Sequence, residues 1–279
     1  MPISSPDTRK RLVSALAAGL FAVVAVTRPS AEAGAAQAPG GRGTIKGHVR
    51  LMGKLPGNPV IRMAADPMCS RMNAGKRVIQ ETVAASLDGS LANVFVRLQG
   101  AFPQTAVPAD PVMIDQRGCV YLPRVVGVRV GQVLQIRNSD ALLHNVHSSS
   151  SRDNTFNVGQ PMAGMVNQFR LKNEEIMLRL KCDLHSWMTA FVGVVTHPYF
   201  AVSHEGGTFE IANVPAGTHT IQAWHERYGP LTQTVKVAAG GTTTVEFSYT
   251  GTEPPPTAGL RDLTLPTGAL AVRFLAQAR

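Results

Sequence analysis

The chain has 279 residues, 44% of them hydrophobic, and a formal net charge of +9. That apolar content excludes a disordered polymer, and the length suffices for one large domain or two small ones with real cores. Gly (26) and Pro (19) are frequent and helix-period apolar patterns are scarce beyond the N-terminus, which points to an all-β protein rich in turns.

The N-terminus reads as a targeting segment. "DTRKR" is a positive stretch, Leu12–Val26 is a 15-residue apolar run, and "SAEA" ends in small residues at Ala31 and Ala33. This layout predicts a secretory signal over 1–33, cleaved after Ala33. The apolar run is shorter than the roughly 20 residues of a spanning helix, so no stable membrane span is expected after cleavage. The expected location is periplasmic or secreted. Removing 1–33 takes away four basic and two acidic groups and leaves +7. Nucleic acid is not an expected partner outside the cytoplasm; a basic surface there suits an acidic protein partner, or plain solubility.

Residues 34–43 read as a linker by composition. "TIKGHVRL" is a first strand, 53–90 is turn-rich with no clear element, and "LANVFVRLQ" is a second strand. "AFPQTAVPADP" is a loop. From Cys119, "CVYLPRVVGVRVGQVLQIRNSD" holds two strand segments split at Gly131, and 148–165 is a long polar loop. "NQFRL", "EIMLRLKC" and "AFVGVVTH" are strands. A second unit, 199–250, has two strand–turn–strand pairs, the latter across a Gly-Gly turn. The tail, 251–279, is Pro- and Thr-rich and expected to be loosely ordered.

The chemistry concentrates in "KCDLHSWM". Cys182, His185 and Met188 fall at Cys-x2-His-x2-Met spacing. Side chains alternate along a strand, so Ile176, Leu178, Leu180 and Cys182 are expected to point inward together. His144, at the end of a strand segment 38 residues upstream, supplies a second imidazole. Two His and one Cys form a trigonal set that a weak axial Met completes, a copper arrangement in which zinc is the rival but seldom takes Met. With Cys182 in this motif, Cys69 and Cys119 remain as a disulfide pair, 50 residues apart. The alternative is two buried free thiols, which are a liability outside the cytoplasm.

These residues resemble the cupredoxins, most closely amicyanin and plastocyanin. "HNVH" at 144–147 and "CDLHSWM" at 182–188 match the family's ligand loops, the short Cys-x2-His-x2-Met loop being the amicyanin form, and "VGVRVGQVLQIRNSD" is similar to the strand leading to the first His. The resemblance implies a type 1 copper site, one copper per chain, with His144, Cys182, His185 and Met188 as ligands. It also implies that Asn145 ties the two ligand loops together. It covers roughly 92–197, inside a first domain expected over 44–198 with a cupredoxin Greek-key β-sandwich. The long loop at 148–165, the extra cysteines and the doubled size depart from the family. "GGTFEIANVPAGTHTI" resembles the carboxypeptidase regulatory-like family, which implies a second small β-sandwich over 199–250, without peptidase activity. There Pro215 and Gly217 serve the turn, and Phe209, Ile211, Val214 and Ile221 fill the core. "GTIKGHVRLMGKLP" resembles the opening strand of such units, so the first strand is expected to pair with that module.

The expected function is an exported electron carrier and not an enzyme. It would pass single electrons between redox partners such as a dehydrogenase or cytochrome, through an exposed His185 with a basic rim and Trp187 as a docking patch. The alternative is copper binding or handling without redox traffic, for which Met162 and Met165 offer further soft donors. An oxidase would need more histidines; the chain has no His-x-His pair and no His-Cys-His run, though His197, His204, His219 and His225 could build a second site. A structural module without metal is the fourth reading. His147 is read as a surface group and Trp224 as core.

Overall fold

A computed structural model of the protein describes residues 40–254 and 256. The expected signal over 1–33, most of the linker and nearly all of the tail lie outside the described residues. Among the described residues, sixteen strands, one 3-10 turn (Met63–Ala65) and one short α-helix follow one another. They are β1 (Arg42–Leu51), α1 (Pro67–Met72), β2 (Phe95–Gln99), β3 (Val112–Gln116), β4 (Tyr121–Leu122), β5 (Val125–Arg129), β6 (Val133–Asn138) and β7 (His144–Ser149). Then come β8 (Asn157–Gln160), β9 (Val166–Arg170), β10 (Glu175–Lys181), β11 (Thr189–Val195), β12 (Phe200–Val202), β13 (Thr208–Pro215), β14 (Gly217–His225), β15 (Gly229–Val237) and β16 (Thr242–Tyr249). The protein is all-β, as its turn-rich, alternating sequence requires.

Two sandwiches result. The first stacks sheet β5-β11-β10-β7-β8 on sheet β4-β3-β6-β9. Ile114, Leu134, Ile136, Val146, Leu178, Leu180, Val192 and Val194 fill the space between them, with Cys182 and Met188 at one end. β11 runs parallel to β5, and β3 parallel to β6, so both sheets contain crossovers rather than simple hairpins. The second sandwich stacks β13-β1-β16 on β12-β2-β14-β15. Its core holds Ile45, Val49, Leu98, Phe209, Ile211, Val214, Ile221 and Phe247, the inward residues of each alternating strand. β1 pairs antiparallel with β13 and parallel with β16, so the N-terminal strand does complete the C-terminal sandwich.

The boundaries differ from the sequence reading. Strand 91–99, placed with the first domain at 92–197, begins at Phe95 and pairs with β12 and β14 of the second sandwich. Its run of buried residues suits either sheet, so its pattern cannot select one. The polar stretch 148–165 is not all loop, because β8 pairs antiparallel with β7. β3, β7, β12 and α1 have no counterpart among the expected elements, and His144 begins β7 where it was expected to end a strand segment. The alternation of β10 also breaks: Met177 has φ +64° and the pairing register with β11 shifts between Glu175 and Leu178. Ile176 and Met177 both face the second sandwich, and the expected inward parity holds only from Leu178 to Cys182.

The sandwiches meet through Phe95, Val125, Met177, Phe191, Val195 and Trp224. Gly127 and Gly193 pair across β5 and β11. A Cβ on Gly193 would collide with the Phe95 ring, and one on Gly127 with the Phe200 ring, so the close approach needs glycine at both positions. Arg124 and Glu226 add an ion pair nearby.

The histidines outside the main motif are structural. His197 and His225 accept backbone N–H bonds at Nδ1 from Tyr199 and Arg227, each at 3.2 Å. Their Nε2 atoms have no partner, and His219 bonds the Pro215 carbonyl. Among the described residues, no cluster of metal-ligating side chains includes any of them or His204. Burial, then the charges of Arg124 and Arg227, pushes His225 down to about 3. A neutral buried histidine binds fewer protons than its unfolded form below pH ~6.5, so stability falls as pH falls. We expect about 2 kcal/mol of acid destabilisation from His225 by pH 5, read as the pH dependence of urea unfolding and reduced in His225→Phe.

Candidate metal centre

The site is built where β10 ends. β10 and β11 form a hairpin whose tip is the loop 182–188, closed by backbone bonds from Cys182 N–H to the Met188 carbonyl (3.2 Å) and from Met188 N–H to the His185 carbonyl (2.9 Å). The strand parity carries Cys182 inward, and the tight turn folds His185 back over it. Tyr121 donates to the carbonyls of Asn145 (2.8 Å) and Lys181 (3.3 Å), fastening β7 to the end of β10. β7 starts at His144, so the alternation that buries His144, Val146 and Ser148 sends Asn145 and His147 outward.

Three donors converge there. His144 Nδ1 lies 3.1 Å from His185 Nδ1, and Cys182 Sγ lies 3.5 Å from His185 Nδ1. All three residues are buried, and their donor atoms lie within 4.8 Å of one another. Met188 is fully buried in the same cluster and beside Cys182 along the hairpin. Of the four residues singled out in the sequence, His144, Cys182 and His185 are therefore brought to one place, and Met188 is buried at the same end of the hairpin.

The far side of each imidazole is committed. His144 Nε2 lies 3.0 Å from Asp140 Oδ2, and His185 Nε2 lies 3.0 Å from Asp66 Oδ2. An ionised carboxylate only accepts, so both Nε2 atoms carry a proton, and each imidazole in its neutral form presents the Nδ1 lone pair. Two nitrogen lone pairs at 3.1 Å repel unless a cation lies between them. Metal–nitrogen bonds of about 2.0–2.1 Å and a metal–thiolate bond of about 2.3 Å would hold the nitrogens about 3.1–3.4 Å apart and nitrogen and sulfur about 3.5 Å apart. The donor set fits a thiophilic metal with imidazole ligands.

The electrostatics favour charged donors. Burial opposes ionisation of Cys182, while the backbone N–H groups of Asn145, Leu184 and His185 favour the thiolate. Burial likewise opposes the Asp140 carboxylate, and bonds from His144 and from the Cys119 and Gly118 N–H groups keep it below the usual range. Asp66 is lowered chiefly by its bond to His185 and by the Cys69 N–H.

Asn145 joins the two ligand loops. Its N–H points at Cys182 Sγ (3.5 Å), its Oδ1 accepts from the Asp183 N–H and its Nδ2 donates to Asp183 (3.0 Å) and Asn157 (2.7 Å). His147 pairs with Asp183 at the surface. Trp187 stands 5.2 Å from His185 between ring centroids and donates to the Cys119 carbonyl.

One expectation is overturned. His185 is not an exposed ligand: its exposure is 2%, because Asp66 and α1 cover it. α1 is held there by the disulfide between Cys69 and Cys119, and Cys69 Sγ lies 3.6 Å from His185 Nε2. Sequence reasoning missed Asp66, Asp140 and α1. The only local signal was "DPM", an acidic N-cap followed by Pro at N1.

No family model and no curated protein matches the chain. Solved structures similar to part of it include a purple cupredoxin, amicyanin variants and a copper-containing nitrite reductase. A purple cupredoxin from Nitrosopumilus maritimus is 20% identical over 30% of this chain and 98% of its own, with a TM-score of 0.27. The Cu(I) form of an amicyanin variant is 19% identical over 37% of this chain and 98% of its own, at 0.28. A copper-containing nitrite reductase from Thermus scotoductus is 17% identical over 34% of this chain and 24% of its own, at 0.27. Among the described residues, no helix is long and apolar enough to cross a membrane.

Replacing Asn145 with Ala removes the ties between the loops while leaving the hairpin backbone intact. The expected result is faster hydrogen exchange at the amide of Asp183 and its loop neighbours, with β11 unchanged, measured on the metal-free protein.

Proposed function

We propose that the chain is an exported type 1 copper protein that carries single electrons between redox partners, and that it is not an enzyme. The observation that supports this most is the convergence of the His144 and His185 Nδ1 atoms and Cys182 Sγ, with both Nε2 atoms committed to carboxylates. Copper held there would supply a one-electron redox change. His144, Cys182 and His185 would hold it, with Met188 as a further weak donor. Cys182 donates as thiolate, the carboxylates hold the imidazoles in the correct tautomer, and the buried surroundings keep water out. Fixed donors change little between redox states, which is what fast electron exchange requires.

With His185 covered, the partner's approach shifts to what remains exposed. Leu143 and Leu184, 46% and 54% exposed, each precede a candidate histidine ligand. In this reading a partner, acidic to match the chain's positive charge, meets the centre over these residues in a small, weak contact. The second sandwich is proposed as a regulatory-like module with no catalytic part, and the whole as periplasmic or secreted.

The test is copper titration of residues 34–279 watched by visible absorption, with Cys182→Ser as control. We expect one copper per chain with an intense thiolate-to-copper band, lost in the variant. Copper that binds weakly and exchanges without such a band would instead support copper handling.

A further inference from the structure

The carboxylates behind the two imidazoles are not independent. Asp66 is the N-cap of α1: its Oδ1 accepts from the N–H groups of Met68 (2.8 Å) and Cys69 (3.0 Å), leaving Oδ2 for His185. Asp140 accepts from the N–H groups of Gly118 (2.7 Å) and Cys119 (2.8 Å) and holds His144 with Oδ2. Cys69 and Cys119 are the two halves of the disulfide. Each half-cystine therefore donates its own backbone N–H to the carboxylate that holds one of the two histidines. Asn73 reinforces the join by donating to the carbonyls of Cys69 and Gly118. Asp140 is anchored from below by its N–H to Asn138 Oδ1.

We propose that Asp66 and Asp140 are positioning residues of the centre, and that the Cys69–Cys119 disulfide is the clasp joining them into one frame around both imidazoles. The inference rests on the metal-binding reading of His144, Cys182 and His185. The frame does two things. It keeps each proton on Nε2, so that both Nδ1 lone pairs stay available, and it closes α1 over His185. Carboxylates placed behind metal-binding imidazoles raise ligand basicity, and losing one costs about 10–100-fold in metal affinity.

Asp66→Asn separates the roles of the two oxygens. The Asn oxygen can still cap α1, an accepted N-cap substitution, but its amide would present N–H toward His185 Nε2. The proton on His185 must then move to Nδ1. Nitrogen-15 NMR of the metal-free protein reads this directly. In the parent, both His144 and His185 are expected as Nε2–H tautomers. In Asp66→Asn, His185 is expected to switch to Nδ1–H while His144, held by Asp140, stays unchanged, and copper affinity falls 10–100-fold. Asp66→Ser, which keeps a capping hydroxyl but is too short to reach the ring, serves if the Asn variant does not fold; there His185 is expected to lose its single tautomer. A His185 that keeps Nε2–H in the folded variant would overturn the proposal. Failure of the parent to bind copper would overturn the functional reading instead, and the tautomer of the metal-free protein would still decide the role of Asp66.

Discussion

Asp140 Oδ2 and Asp66 Oδ2 each lie 3.0 Å from an imidazole Nε2. Because a carboxylate can only accept, these two bonds assign the protons of both histidines and leave both Nδ1 lone pairs facing Cys182. Everything else at this end of the first sandwich supports that arrangement. The β10–β11 hairpin places the thiol, β7 places His144, Asn145 locks the loops, and the disulfide holds the cap. Burying the Asp140 carboxylate is costly unless its bonds are satisfied; it receives two backbone N–H bonds and one imidazole bond, and the half-buried Asp66 likewise. The cost is thereby met by groups that also position the site.

The second sandwich bears on the site indirectly. It takes β1 and β2 from before the first sandwich and β12 to β16 from after it, so the first sandwich is enclosed in the sequence of the second. Phe95, on β2, packs against Gly193 of β11, the strand that leaves the ligand loop. Arg124 links the loop before β5 to Glu226 and to the Thr189 carbonyl at the start of β11. The return arm of the 182–188 hairpin is thus braced by the second sandwich.

Much of this was legible in the residues, for identifiable reasons. The all-β class followed from alternation and turn residues. The inward Cys182 followed from strand parity, because Leu178 to Cys182 obey the period of two; His185 followed from the Cys-x2-His spacing, and His144 from the need for a second imidazole and from the family resemblance. The pairing of β1 with the C-terminal strands followed from a resemblance, and the disulfide from the assignment of Cys182. What failed was non-local. β2 is buried on both faces and gives no sign of which sheet it joins. The bulge at Met177 is a backbone event that no side chain announces. α1 lies in a turn-rich segment of 38 residues whose place over His185 is set by a disulfide to a distant loop and by one carboxylate oxygen. A six-residue helix carries no amphipathic signal strong enough to be read, so the burial of His185 could not be foreseen.

The central claim is that two imidazole nitrogens and one thiolate bind a single copper. X-ray absorption at the copper edge of the loaded protein tests it most directly. The account predicts two nitrogen scatterers at about 2.0 Å and one sulfur at about 2.2–2.3 Å, in line with bond lengths at comparable sites. A shell of nitrogen and oxygen alone, without the short sulfur, would contradict it.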